Sequence, residues 1–196
     1  MAGPYAIAAV GKAILALLAG SRPQPEFAGA EFELYQAKNF VSPMEEGIAL
    51  YLHRVTPANN IRNLPPRIAP DGRRYRPSMP LDMHFLLVSF ARDAFKQQRL
   101  LGWALRTIED TPILHASFLN QYGPEPDTFR DGECIDTIME TIVYQDMGAI
   151  WDVAKPNIQP AVPYLVRMLA LDSAVEMTDA PLAQTRVFAA GKVAEP

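Results

Sequence analysis

The densest group of chemically capable side chains in this sequence is Arg73-Arg74-Tyr75-Arg76. Guanidinium groups beside an aromatic ring can grip phosphate or stack on bases. The same residue types are enriched where proteins pack on proteins, with arginine pairing to carboxylates across the contact. The chain is acidic, with a net charge of −4 and a pI near 5.4, which favours a protein contact over nucleic acid. A solvated loop is the plain alternative. A second group is Asp82, His84 and Cys134, which would serve a hydrolase only if folding united them in one pocket. His53 joins that group if the strands carrying His53 and His84 pair.

Other candidates carry less. His53, His84 and His115 lack metal-ligand spacing and read as hydrogen-bonded residues. Cys134 is the one cysteine, so no intramolecular disulfide forms. With no basic neighbour to activate its thiol, it reads as a small buried apolar residue. Glu45-Glu46 and Glu109-Asp110 are adjacent carboxylates in polar surroundings. General acid–base work needs two environments that push two pKa values apart, so these pairs belong at helix ends or on the surface. Glycine-rich phosphate loops, Cys-x-x-Cys and Gly-x-Ser-x-Gly are absent from the sequence. No catalytic, cofactor or metal site is therefore expected.

The elements that must position these residues are legible from periodicity. Ile7, Val10, Ile14, Leu17 and Leu18 share one face of a helix, which Gly20-Ser21 and Pro23 stop. Lys12 sits mid-run and no basic residues precede it, so the run reads as a core helix, not a signal peptide or a membrane span. Phe32–Tyr35 is a short strand, and 40–47 a loop. Ile48–Val55 alternates, with Ile48, Leu50 and Leu52 on one side and Ala49, Tyr51, His53 and Val55 on the other. The stretch 57–80 is proline-rich and irregular, with a turn signal at Asp71-Gly72. A loop of that length inside a domain is often functional.

Leu81–Ala91 is apolar on both faces, the mark of a central covered strand. Arg92–Thr107 is a helix with Ala94, Gln98, Leu101, Leu105 and Ile108 on its inner stripe, widened by Phe95, Trp103 and Ala104. Cys134–Val143 is a strand with one polar-rich face. Met147, Ile150, Trp151 and Ala154 form a short helix face, and Val162–Leu171 a final strand. Residues 174–196 are expected to be a tail that orders on binding, with one apolar piece at Val187-Phe188-Ala189-Ala190. The composition, 49% apolar and 20% charged, is that of a folded domain. The expected fold is α+β: a mixed, mainly antiparallel sheet with helices packed on it, one domain over 1–173 and an arm over 174–196.

A resemblance extends this reading. Arg76-Pro77-Ser78-Met79-Pro80-Leu81-Asp82-Met83-His84-Phe85-Leu86-Leu87 resembles the Pro-Leu-Asp-Leu-His-Tyr-Leu-Leu core of the cap proteins of extracellular contractile injection systems. Leu100 to Arg106 with Asp110 to Leu114 is similar to the helix and turn that follow in that family. Leu50 to Pro57 with Asn63 resembles its first long strand. The Trp151 helix and Val162–Leu171 resemble its closing elements. Residues 137–140, Thr-Ile-Met-Glu, are poorer in leucine than that family's strand.

What the resemblance implies is mechanical. Such caps resemble phage tail terminators and close the inner tube and sheath as a sixfold ring. The implied partners are other copies in a homohexamer, the terminal inner-tube protein and the sheath protein, with no nucleic acid and no membrane insertion. The implied place is the cytoplasm, within a phage tail-like particle that lysis releases. Candidate interface residues are Arg73, Arg74, Tyr75, Arg76, Val187 and Phe188. Ring closure needs two complementary patches per subunit. The alternatives are a nucleic-acid adaptor using the arginines and a hydrolase using Asp82, His84 and Cys134.

Overall fold

The computed structural model describes residues 2–58, 64–152 and 159–178. Helix α1, Ala6–Ser21, is alanine- and leucine-rich and leads to strand β1, Glu31–Tyr35. A 3-10 turn, Ala37–Val41, precedes β2, Gly47–Pro57. Strands β3, Arg67–Ile68, and β4, Arg74–Tyr75, form a hairpin on the Asp71-Gly72 turn. Gly72 has φ +83°, a left-handed conformation that glycine adopts without a Cβ clash. The longest strand is β5, Met79–Phe90, followed by α2, Ala94–Asp110, β6, Ile113–His115, and a short α3, Ala116–Leu119. Strand β7 is Cys134–Met139, α4 is Tyr144–Asp152, and β8 is Ala161–Leu171.

Six strands form one sheet in the order β1-β2-β5-β8-β7-β6, with β1–β2 parallel and every other pair antiparallel. The expected mixed, mainly antiparallel architecture is thus observed. The glycine that opens β2 is required there: a Cβ on Gly47 would sit 2.1 Å from the Glu31 carbonyl oxygen of its parallel neighbour.

Strand β5 lies at the centre and alternates between two cores. Met83, Phe85 and Leu87 face α1, α2 and α3; Leu86, Val88 and Phe90 face the 3-10 turn and α4. The two-sided apolar pattern of this strand has that cause. Asp93 caps α2 by accepting from the Lys96 N–H at 2.8 Å. The buried stripe of α2 is Gln97, Leu100, Ala104 and Ile108; Ala104 and Ile108 are as expected from sequence, whereas Gln97 and Leu100 replace Gln98 and Leu101, and Leu101, Trp103 and Leu105 are partly buried beside them. Ala94 and Gln98 are exposed, and Phe95 is 71% exposed. Leucines at both 100 and 101 fit either stripe, and the sheet decides between them. Trp103 fills the space between Phe27 and Phe32, at ring distances of 6.1 and 6.0 Å.

Two irregularities reset the alternation. Leu52 opposes Phe85 and Arg54 opposes His84, so His53 is an extra residue in β2. At this bulge Arg54 joins His53 on the face of His84, and beyond it Thr56, rather than Val55, continues that face. On β8 an extra residue between Val166 and Leu169 lets both side chains enter the helix-covered core, and Met168 takes φ 70° there.

Candidate functional site

The expected arginine patch sits on the β3–β4 hairpin. Arg73, Arg74 and Arg76 are exposed, and Tyr75 is half-buried beneath the Arg67 guanidinium, 4.1 Å from the ring centre. Arg73 pairs with Asp71 across the turn at 2.7 Å. Its backbone N–H and guanidinium both bond that carboxylate, which holds the Asp71 carboxyl below its ordinary value. A further segment bridges to the hairpin. Arg76 N–H donates to the Val175 carbonyl, Met177 N–H donates to the Arg74 carbonyl, and Glu176 bridges to Tyr75. Residues 175–177 of the expected tail are therefore paired against the patch. Val187 and Phe188 lie outside the described residues, as do Ala154 and Asn63 of the sequence reading.

Beneath the hairpin lies a buried ion cluster that sequence reasoning missed. The Asp172 side chain is 3% exposed and receives the Ser78 hydroxyl and the Arg130 guanidinium. Arg67, 8% exposed, sits 3.7 Å away, an ion-pair distance too long for a hydrogen bond, and donates to the Ser173 carbonyl at 3.3 Å. Asp172 N–H also donates to the Ala2 carbonyl at 2.9 Å. Through its carboxylate and its backbone N–H, Asp172 thus ties the N-terminal segment, the hairpin, the 123–133 loop and the end of β8. Its members are scattered through the sequence, so no local spacing announces it. A cleft of about 610 Å³ opens beside it, lined by Arg67, Ile68, Pro70, Asp71, Tyr75 and Arg130.

The second sequence candidate separates. His84 is buried on β5; its Nδ1 lies 2.9 Å from Glu140 Oε2 and its Nε2 lies 3.0 Å from Thr56 Oγ1. Both ring nitrogens are therefore occupied. The His53 ring is 6.2 Å from it, so the two strands do bring the histidines together. Burial, then the His84 and Arg54 charges, push the His53 pKa down. Cys134 is elsewhere. His84 opposes Leu165, which opposes Ile138, four residues from Cys134 on a strand two places away. That register separates the thiol from the imidazole by roughly 15 Å. The register thus removes the geometry a Cys134–His84 hydrolase requires.

The carboxylate pairs are surface features, as expected. Glu45 and Glu46 bond Arg92 and Lys96, tying the loop before β2 to the start of α2, and Asp110 bonds Arg106 one turn away. Among the described residues no cluster of three or more His, Cys, Asp or Glu is arranged to hold a metal ion, and no helix is long and apolar enough to cross a membrane.

Comparison with known proteins decides the family. A family model described as the Pvc16 N-terminal domain matches residues 10–185. The chain belongs to the Pvc16 N-terminal domain family. A search of curated proteins found no match. Among solved structures, this Pvc16 N-terminal domain is similar to the sheath/tube terminator of PVC, an extracellular contractile injection system, in the extended state. The TM-score is 0.58 and the identity 13%, over 97% of this chain and 63% of that one. It is similar too to the tube-terminating cap of the anti-feeding prophage, with a TM-score of 0.58 and 11% identity over 91% of this chain and 60% of that one. The chain spans about three fifths of the length of these structures. Their shared fold is the tail-terminator-like arrangement expected from the resemblance.

Proposed function

We propose that this chain is a structural cap of a contractile injection system, closing the end of the inner tube and sheath and holding the sheath extended. The observation that carries the reading is a fold similar over 97% of the chain to a sheath/tube terminator, in a chain of the Pvc16 N-terminal domain family. The chemistry agrees with it. His84, the best-placed titratable group, is occupied by Thr56 and Glu140 within the fold. The exposed arginines stand on a short hairpin braced from below by Asp172, which suits a rigid contact with an acidic partner surface better than a reacting centre.

In this reading the partners are the terminal inner-tube protein and the sheath protein. Copies of the chain close a sixfold ring through two complementary patches. Residues 1–173 are the cap domain and 174–196 an attachment arm that starts on the hairpin and carries Val187 and Phe188. Assembly takes place in the cytoplasm, and the role is non-catalytic. The test is to tag the protein in its native host, purify what accompanies it and image the particles. Label at one end of contractile rods is the expected result. Particles from the same cells that lack the protein would overturn the reading.

A further inference from the structure

An open strand edge and an apolar groove meet at β1. Among the described residues β1 pairs only with β2, so its outer backbone edge is unpaired. Beside it a groove of about 520 Å³ runs between α1 and β1; Leu15, Ala16, Ala19, Phe32 and Leu34 give it apolar walls, and Lys12, Glu33 and Tyr122 complete its lining. Alanines on the helix wall leave room for incoming side chains, and Leu34 is 40% exposed. Alternate residues of β1 point to the other face, where Glu31 and Glu33 present two exposed carboxylates. Open edges of this kind invite strand addition, in which backbone bonds give affinity and alternate side chains give specificity.

One segment of this sequence has the matching pattern. In Arg186-Val187-Phe188-Ala189-Ala190, strand alternation puts Val187 and Ala189 on one face and Arg186 and Phe188 on the other. Laid parallel to β1, Val187 and Ala189 enter the groove beside Phe32 and Leu34. Arg186 then lies against Glu31 and Glu33, on the sheet face opposite Lys12 of the groove wall. Reach selects the donor. The tail leaves the hairpin at Thr178, beyond the Met79 end of β5. Glu33 opposes Ala49, which opposes Val88, nine residues along β5 from Met79. That is about 30 Å along the strand and about 10 Å across two strand spacings. Val187 lies nine residue steps beyond Thr178, a reach of at most about 32 Å when fully taut. A chain's own tail has no slack to reach its groove; the tail of a neighbour is not so limited.

We propose that residues 186–190 of one copy add as an edge strand to β1 of a second copy, with Val187 and Ala189 filling the α1–β1 groove. This names the joint of the ring and rests on the capping reading only for the ring itself. The test uses full-length chains with Cys134→Ser and one new cysteine each. Leu34→Cys is mixed with Ala189→Cys, and in parallel with Phe188→Cys, under mild oxidation in solution and in purified particles. The mixed disulfide at 34 and 189 is expected about tenfold faster than at 34 and 188, because docking raises the local concentration of the in-face thiol. Glu33→Lys is expected to slow it by about two- to fivefold, and Arg186→Glu to restore it. Equal rates at 188 and 189, or no mixed disulfide, would overturn the joint. So would a chain carrying both Leu34→Cys and Ala189→Cys that closes on itself as a monomer. Particles labelled at one end but lacking the 34–189 link would overturn this joint and leave the capping reading intact.

Discussion

The two faces of the sheet are covered in different ways. One lies under α1, α2 and α3, and the side chains gathered there are apolar, from Val10 and Ile14 through Leu87 and Leu100 to Leu169. The other is covered by the 3-10 turn and α4 around Phe40 and Trp151, while further along it carries His84, Glu140, Asp136 and Arg167. Stability rests mainly on the first face, where area removed from water accumulates without desolvating charge. The second face, the hairpin and the strand edge hold the polar groups that an assembling protein can present. Coverage, not composition alone, separates the two roles.

The comparison breaks hardest in the first core. Leu87→Asp puts an unpaired charge among side chains with no exposed surface and should cost more than about 4 kcal/mol, enough to unfold the chain. A cooperative thermal transition with unchanged midpoint would show that Leu87 is not in that core. Asp172→Ala comes next. It strands Arg67, 8% exposed, without its carboxylate and should cost about 3 kcal/mol in urea unfolding, with faster amide exchange in the hairpin.

The mixed face should respond less. Glu140→Gln removes the carboxylate that faces His84, in a pair whose side chains are 7% and 21% exposed, and should cost about 1–2 kcal/mol. Smaller still is a pH effect. Burial and neighbouring charge hold His53 below the ordinary histidine value of 6.5, so the unfolded chain takes up that proton first. This stability is present above pH 6.5 and lost as pH falls from there toward the lowered folded value. Unfolding curves from pH 7 to pH 5 should show the decline, and His53→Gln should flatten it. At the bottom of the scale, Arg106→Ala breaks an exposed helix pair with Asp110 and should leave the melting midpoint unchanged.

Much of the fold was legible because burial imposes a period. The two-sided run in β5, the α1 stripe and the Asp71-Gly72 turn each follow from residue type and spacing alone. The α2 stripe kept Ala104 and Ile108 but turned by one residue in its first half, because Leu100 and Leu101 satisfy the helical period equally. The functional region was half legible. The arginines of the hairpin stood out as a local cluster, whereas Asp172, Arg67 and Arg130 meet only through the fold.

Local sequence was enough to dictate the main helices and strands and which strand is central, but not the end of β7 at Met139 or the short helix Ala116–Leu119. Only the tertiary structure decided where the bulge at His53 and the extra residue on β8 turn side chains to new faces. It also decided that residues 175–177 pair with the hairpin, and that among the described residues β1 keeps an open edge beside a groove with apolar walls. The physical reason is range: propensity and periodicity act over a few residues, while strand register, ion clusters and exposed edges depend on which distant segments become neighbours.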